Sequence, residues 1–203
     1  MAGEAYDRYM GRYSRPLAEQ FADWLDLSPG QRALDVGCGP GALTEQLVAR
    51  VGADHVSAID PSAPFVEACR ARFPGVDVHR GGAESLPFAD DSQDVTAACL
   101  VVHFMTDPVA GMTEMKRVTR DGGWVAATVW DLAGSRAPMA PLWTAVAEVA
   151  PEHPNESGFQ GGSRESLLGI VERAEEKSLA HLESRAKSCA ELAYRRPYGT
   201  WVK

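Results

Sequence analysis

The chain has no apolar run long enough to cross a membrane, no charged-then-apolar leader, and only 4 cysteines in 203 residues. A membrane-spanning helix needs about 20 consecutive apolar residues and a secretory leader a continuous apolar stretch of roughly 7–15. A cytoplasmic protein that enters no membrane is therefore expected. Cys38, Cys69, Cys99 and Cys189 lack the short spacings that bind zinc, and the 5 histidines form no pair at helical spacing. Reduced thiols and no metal site are expected. Basic residues are also scarce, 20 against 28 acidic, for a net charge of −8. Because phosphate backbones are held by clustered Lys and Arg, no nucleic-acid partner is expected, and a small neutral or cationic ligand suits the field. What remains is an ordinary globular composition, 45% hydrophobic and 24% charged, of a size for one α/β domain.

The most informative stretch is Ala33-Leu34-Asp35-Val36-Gly37-Cys38-Gly39-Pro40-Gly41-Ala42-Leu43-Thr44. It reads as strand, glycine turn and helix, since Leu34 and Val36 suit a strand while Leu43, Leu47, Val48 and Val51 recur on one helix face. The first N–H groups of that helix have no partner within it, and glycine lets a ligand approach the backbone. The turn is thus built for a polar ligand. Gly37, Gly39 and Ala42 also satisfy the dinucleotide pattern G-x-G-x-x-G/A. Two residues oppose a pyrophosphate there: Asp35 would repel it, and Pro40 removes an N–H that could bind it. No Gly-Lys-Ser/Thr follows, so the turn is not a Walker loop. A ligand with a cationic end and a carboxylate fits both the acid and the helix start.

Leu34-Asp35-Val36-Gly37-Cys38-Gly39-Pro40-Gly41 resembles the first motif of the class I S-adenosylmethionine-dependent methyltransferases. The resemblance implies a doubly wound, mostly parallel Rossmann-like α/β sheet. It also implies S-adenosyl-L-methionine as cofactor, S-adenosyl-L-homocysteine as product, and a small-molecule acceptor methylated at O, N or C. On it, Asp35, Gly37, Cys38, Gly39 and Gly41 belong to the cofactor. Asp60, ending the expected strand Val56-Ser57-Ala58-Ile59-Asp60 and followed by Pro61, matches the second motif, whose carboxylate accepts ribose hydroxyls. A helix N-cap is the other reading of Asp60. Arg80-Gly81-Gly82-Ala83-Glu84-Ser85-Leu86-Pro87-Phe88 resembles the loop that receives adenine. Gly82 stands where the family often has aspartate, the Ala83 N–H remains for a ring nitrogen, and Glu84 either substitutes for that acid or faces solvent.

Residues 6–27 read as one or two helices with Leu17, Phe21, Trp24 and Leu25 turned inward. The segment 6–17 is similar to one that lies across cofactor and acceptor in the family, which makes Tyr13 a cofactor or lid contact. An amphipathic helix capping the sheet is the plainer reading. Helices are expected over 63–73 and after Asp107-Pro108, with a short strand at 76–79. Residues 94–102 read as a continuous buried strand, with Val101 at the cofactor and His103 just beyond. His103 is the candidate catalytic residue, placed to orient or deprotonate an acceptor hydroxyl, with a structural histidine as the alternative. A helix, a glycine turn and a fifth strand follow over 114–131, and Trp130 and Asp131 are acceptor-region candidates or ordinary rim packing.

One domain over 1–203 is expected, with a helical lid (1–30), a cofactor core (31–131) and a divergent acceptor region (132–203). The last region predicts helices at 139–149 and 164–193 and one strand at 198–202. The family's closing antiparallel hairpin is not evident, and an exposed sheet edge makes a homodimer one expectation. A nicotinamide-dependent oxidoreductase shares the turn and Asp60, and a non-catalytic cofactor-binding or dimerising protein shares the whole cofactor half. Both stand as alternatives.

Overall fold

The computed structural model describes residues 2–150, 152–153, 159–181 and 200–202. β1 (Ala33–Val36) lies at the centre, buried along its whole length, and pairs in parallel with β2 (Val56–Asp60) on one side and β4 (Gln93–Cys99) on the other. β3 (Asp77–Arg80) extends the sheet beyond β2, and β5 (Thr119–Val129) extends it beyond β4. The short β6 (Thr200–Val202) adds antiparallel to β5, for the order β3-β2-β1-β4-β5-β6. The chain direction of travel reverses between β1 and β4, so a crevice opens at their carboxyl ends. The doubly wound, mostly parallel sheet expected from the sequence is present and does not close on itself.

Each face of the sheet has its own core. Leu17, Phe21 and Leu25 of α1 (Ala2–Leu25), Leu43 and Leu47 of α2 (Ala42–Val51), and Val66 and Cys69 of α3 (Ala63–Arg72) pack with Ala33, Val95 and Ala97. Met112, Met115 and Val118 of α4 (Pro108–Val118) join Leu167 and Ile170 of α6 (Arg164–His181) over Leu34, Val36 and Ala98. Asp107 caps α4 by accepting from the Ala110 N–H at 2.9 Å, as its place before Pro108 predicts. α5 (Ala140–Val149) buries no residue. Among the described residues no helix is long and apolar enough to cross a membrane.

Two expectations change. The continuous strand to residue 102 instead stops at Cys99: Leu100 donates its N–H to the Thr128 carbonyl at 2.8 Å and turns the chain with φ 63°. A 3₁₀ turn (Val102–Phe104) follows, so His103 sits on that turn. The expected glycine turn before the fifth strand lies inside β5. Thr119 pairs with Gln93, and the register then slips to Val95 opposite Trp124. Thr119 is pinned there because its hydroxyl bonds both the Thr96 hydroxyl and the Met115 carbonyl at 2.7 Å. Residues 2–25 form one helix with Pro16 inside it. The side chains of Tyr6 and Tyr9, residues 182–193 of the expected helical stretch and Cys189 lie outside the described residues.

Candidate functional site

The glycine turn is held by its neighbours on the sheet. Gly37 and Cys38 both donate N–H to the Ile59 carbonyl, at 2.7 and 3.0 Å, which draws the turn over the end of β2. The Asp60 carboxylate completes the tie: one oxygen accepts from the Gly39 N–H at 2.9 Å, the other from the Ser62 N–H at 2.8 Å. Burial raises its pKa, against the pull of those two N–H donors. Asp60 is therefore oriented by the turn, and it lines the cavity.

Asp35 sits beneath, fully buried. Its Oδ2 accepts from the Thr44 hydroxyl at 2.6 Å, while its Oδ1 has no partner. Burial lifts the carboxyl to about 7, with the Asp60 charge adding and the Thr44 hydroxyl opposing. An orphaned buried carboxylate oxygen is costly unless something positive or hydrogen-bonding meets it.

Above this floor is a cavity of about 570 Å³, within the roughly 300–1,000 Å³ usual for cofactor sites. Of the sequence-predicted residues, Asp35, Gly37, Cys38, Gly39, Asp60, Pro61, Gly82, Ala83, Glu84 and Val101 line it. Gly39 has no atom within 4 Å of where a Cβ would stand, so its backbone faces open space. Gly41 is outside the lining, and a Cβ there would meet Phe73. Tyr13 is also outside, 39% exposed, while its neighbour Ser14 lines the cavity. Helical geometry decides this, since Ser14 lies on the face that carries Leu17 and Phe21. Phe65, Phe104, Met105 and Thr106 complete the wall and were not singled out in the sequence.

Glu84 lines the cavity and also ties its wall together. Its Oε1 accepts from the N–H groups of Thr106 at 2.8 Å and Asp107 at 3.3 Å, binding the loop after β3 to the entrance of α4. Arg117 holds the same loop further along. Its guanidinium donates to the Leu86 and Phe88 carbonyls and pairs with Asp90 and Glu114, while Glu114 accepts from the Leu86 N–H. The pair keeps the Glu114 carboxyl below its ordinary range, with the Arg117 hydrogen bond as the largest cause. Arg117 is about a third exposed, so screening reduces the ion-pair share. Arg117→Met is expected to cost about 1–2 kcal/mol, chiefly through the two lost hydrogen bonds to the Leu86 and Phe88 carbonyls, read from urea denaturation.

His103 lies beside the cavity and does not line it. Its ring stacks on Phe159 at 6.2 Å and tilts against Phe104 at 4.1 Å, and its Nδ1 is buried without a partner. Burial lowers its pKa to about 4, so the imidazole is neutral at pH 7. Trp130 is only 7% exposed, packed in the core with Leu132. Asp131 holds its own turn, accepting from the Gly134 N–H at 2.8 Å and lying 3.7 Å from Arg136. Neither lines the cavity. Among the described residues no group of His, Cys, Asp or Glu is arranged to hold a metal ion.

Residues 34–127 match the family model described as a methyltransferase domain. The malonyl-[acyl-carrier protein] O-methyltransferase of Erwinia billingiae is 34% identical over 124 residues, 61% of this chain and 48% of that protein. A demethylmenaquinone methyltransferase of Paenarthrobacter aurescens is 34% identical over 121 residues, 60% of this chain and 45% of its own length. The chain thus spans about half the length of the curated relatives it matches. Among solved structures, a SAM-dependent methyltransferase from Thermotoga maritima superposes with a TM-score of 0.61 at 25% identity, covering 84% of this chain and 76% of its own. The motif turn, the acid-tipped second strand and the sheet order agree with these matches, and residues 34–127 are similar to the methyltransferase domain of S-adenosylmethionine-dependent enzymes.

Proposed function

We propose that this chain transfers a methyl group from S-adenosylmethionine to an O, N or C nucleophile of a small molecule. The observation that carries the reading is the cavity floor, where Asp35 keeps an unpartnered carboxylate oxygen beneath a turn whose Gly39 faces open space. That floor suits an ammonium and disfavours a diphosphate, whose charge would meet Asp35 and Asp60 together. Asp35 and the turn hold the methionyl end, Asp60 accepts the ribose hydroxyls, and Gly82 with the Ala83 N–H borders the adenine. When bound, the cofactor supplies a methyl group on a sulfonium, an electrophile that needs no further activation. Positioning then contributes most of the acceleration. His103 lies beside the cavity and is too weak a base to take a proton readily at pH 7, so no proton transfer is assigned to it. The names of the relatives, a malonyl-[acyl-carrier protein] O-methyltransferase and a demethylmenaquinone methyltransferase, support a small-molecule acceptor without choosing one.

Titration calorimetry with S-adenosylhomocysteine and, separately, NADH tests the reading. Binding of the first in the micromolar range and none of the second is expected. Asp60→Ala is expected to lower affinity by about 10- to 100-fold, the loss of one or two charge-assisted hydrogen bonds. An affinity for NADH comparable to that for S-adenosylhomocysteine would overturn the assignment.

A further inference from the structure

The glycine turn is tied by side chains that do not themselves line the cavity. Cys38, Gly39 and Pro40 all line it, and the turn they form is closed by the Gly41 N–H, which donates to the Cys38 carbonyl at 2.9 Å. Gly39 and Gly41 both have left-handed φ, 53° and 93°, and glycine gives up more conformational freedom on ordering than any other residue. Such a turn keeps one shape only if something holds it. Asp60 holds the Gly39 N–H. The next peptide is held from α3: the Pro40 carbonyl accepts from Nη1 of Arg72, 32 positions along the chain in the last turn of that helix. Nη2 of the same guanidinium donates to the Glu45 carboxylate, in the first turn of α2, at 3.0 Å. The guanidinium also lies over the Phe73 ring, 5.0 Å from its centroid, and that ring fills the space beside Gly41, where a Cβ would stand 2.5 Å from Phe73 Cε2.

We infer that Arg72 is a positioning residue of the methyl-donor site: through the Pro40 carbonyl it holds the glycine turn in the shape the donor meets, and Glu45 and Phe73 hold its guanidinium. The inference rests on the donor reading given above. An arginine suits the task because one rigid planar group can bond two acceptors and stack on a ring at once, which a lysine ammonium cannot. Its side chain is 31% exposed, so solvent screens the pair with Glu45 and leaves that pair a small part of the whole fold's stability. The effect is therefore local. Without the tie the empty turn spreads over several shapes, and apparent affinity falls by the fraction that still fits the ligand.

Arg72→Met keeps the apolar stem over Phe73 and removes both donors. In the full chain it is expected to bind S-adenosylhomocysteine about tenfold more weakly by titration calorimetry, the competent turn having fallen to about a tenth of the empty protein. Hydrogen exchange of the ligand-free variant should quicken about fivefold at the Gly39 and Gly41 amides and stay unchanged along β1 and β2, a local loosening that a general loss of stability would not give. Arg72→Lys, which can serve one acceptor at a time, should fall between wild type and Arg72→Met. Glu45→Gln should weaken binding about threefold alone and not at all when added to Arg72→Met, because it acts only through that guanidinium. If Arg72→Met does not fold, Arg72→Lys and Glu45→Gln carry the same comparison. A wild type that binds S-adenosylhomocysteine and an Arg72→Met that binds within about twofold of it would overturn this inference and leave the donor reading standing. Faster exchange spread evenly over the sheet would also overturn it. A wild type that does not bind S-adenosylhomocysteine would overturn both.

Discussion

Asp35→Asn is expected to weaken S-adenosylhomocysteine binding at least 100-fold, and to make the ligand-free protein more stable at pH 8 by on the order of 2 kcal/mol. The Asp35 carboxyl is fully buried and has its pKa lifted to about 7 from 3.8, chiefly by that burial. The folded chain therefore holds this proton to higher pH than the unfolded chain does. Its contribution to stability is complete below about 4 and is lost as the pH rises towards 7, a change on the order of 4 kcal/mol over three units. Asparagine removes the ionisation and with it this loss, but its amide N–H groups lack an acceptor at the orphaned Oδ1 position, which returns about 1–3 kcal/mol. Urea denaturation at pH 5.5 and pH 8 reads the difference: wild type should weaken towards pH 8 and the variant should not. Ligand affinity of the wild type should move the opposite way, falling about tenfold for each unit below pH 7, because an ammonium pairs only with the ionised acid. An unchanged affinity in Asp35→Asn would remove the proposed donor site.

Gly37→Ala and Gly39→Ala are expected to fail in different ways. At Gly37, with φ 73°, an added Cβ would stand 2.4 Å from Val101 Cγ2 and 3.0 Å from Val101 Cβ. A rotamer change moves the first contact but not the second, so backbone must shift. Left-handed strain of roughly 1–2 kcal/mol and overpacking of roughly 1–3 kcal/mol together predict a melting temperature lower by about 5–15 °C. Gly39→Ala has φ 53° and no atom within 4 Å, so only the strain applies and the melting temperature should fall by a few degrees. Its methyl group would instead project into the cavity, and S-adenosylhomocysteine affinity should drop at least tenfold. Scanning calorimetry and titration of both variants check the pair. Equal thermal losses would mean that the two glycines do the same work.

The half of the cavity around the glycine turn was legible because its residues are close in the chain. Asp35, the glycines and the start of α2 are neighbours in the chain, and Asp60 ends the next strand, so strand propensity, helix periodicity and spacing locate them together. The second half of the site was not. Glu84 bonds Thr106 and Asp107, more than twenty residues away, and Arg117 reaches back to Leu86 and Phe88. Ser14 replaces Tyr13 at the cavity through the rotation of one helix against the sheet. Phe159 meets His103 only because α6 packs on α4, and nothing near Phe159 in the chain announces that contact.

From its amino acids alone the chain determined a buried acid-led turn, a second acid at the tip of β2 and a sheet of parallel strands. Apolar periodicity, glycine geometry and short-range hydrogen bonding act within a few residues and need no distant partner. Only the tertiary structure decided that Leu100 would break β4, that Trp130 and Asp131 would lie outside the cavity lining, and that Ser14 would line it. Each depends on how two elements distant in sequence are set against one another, and that placement follows from the packing of both sheet faces at once.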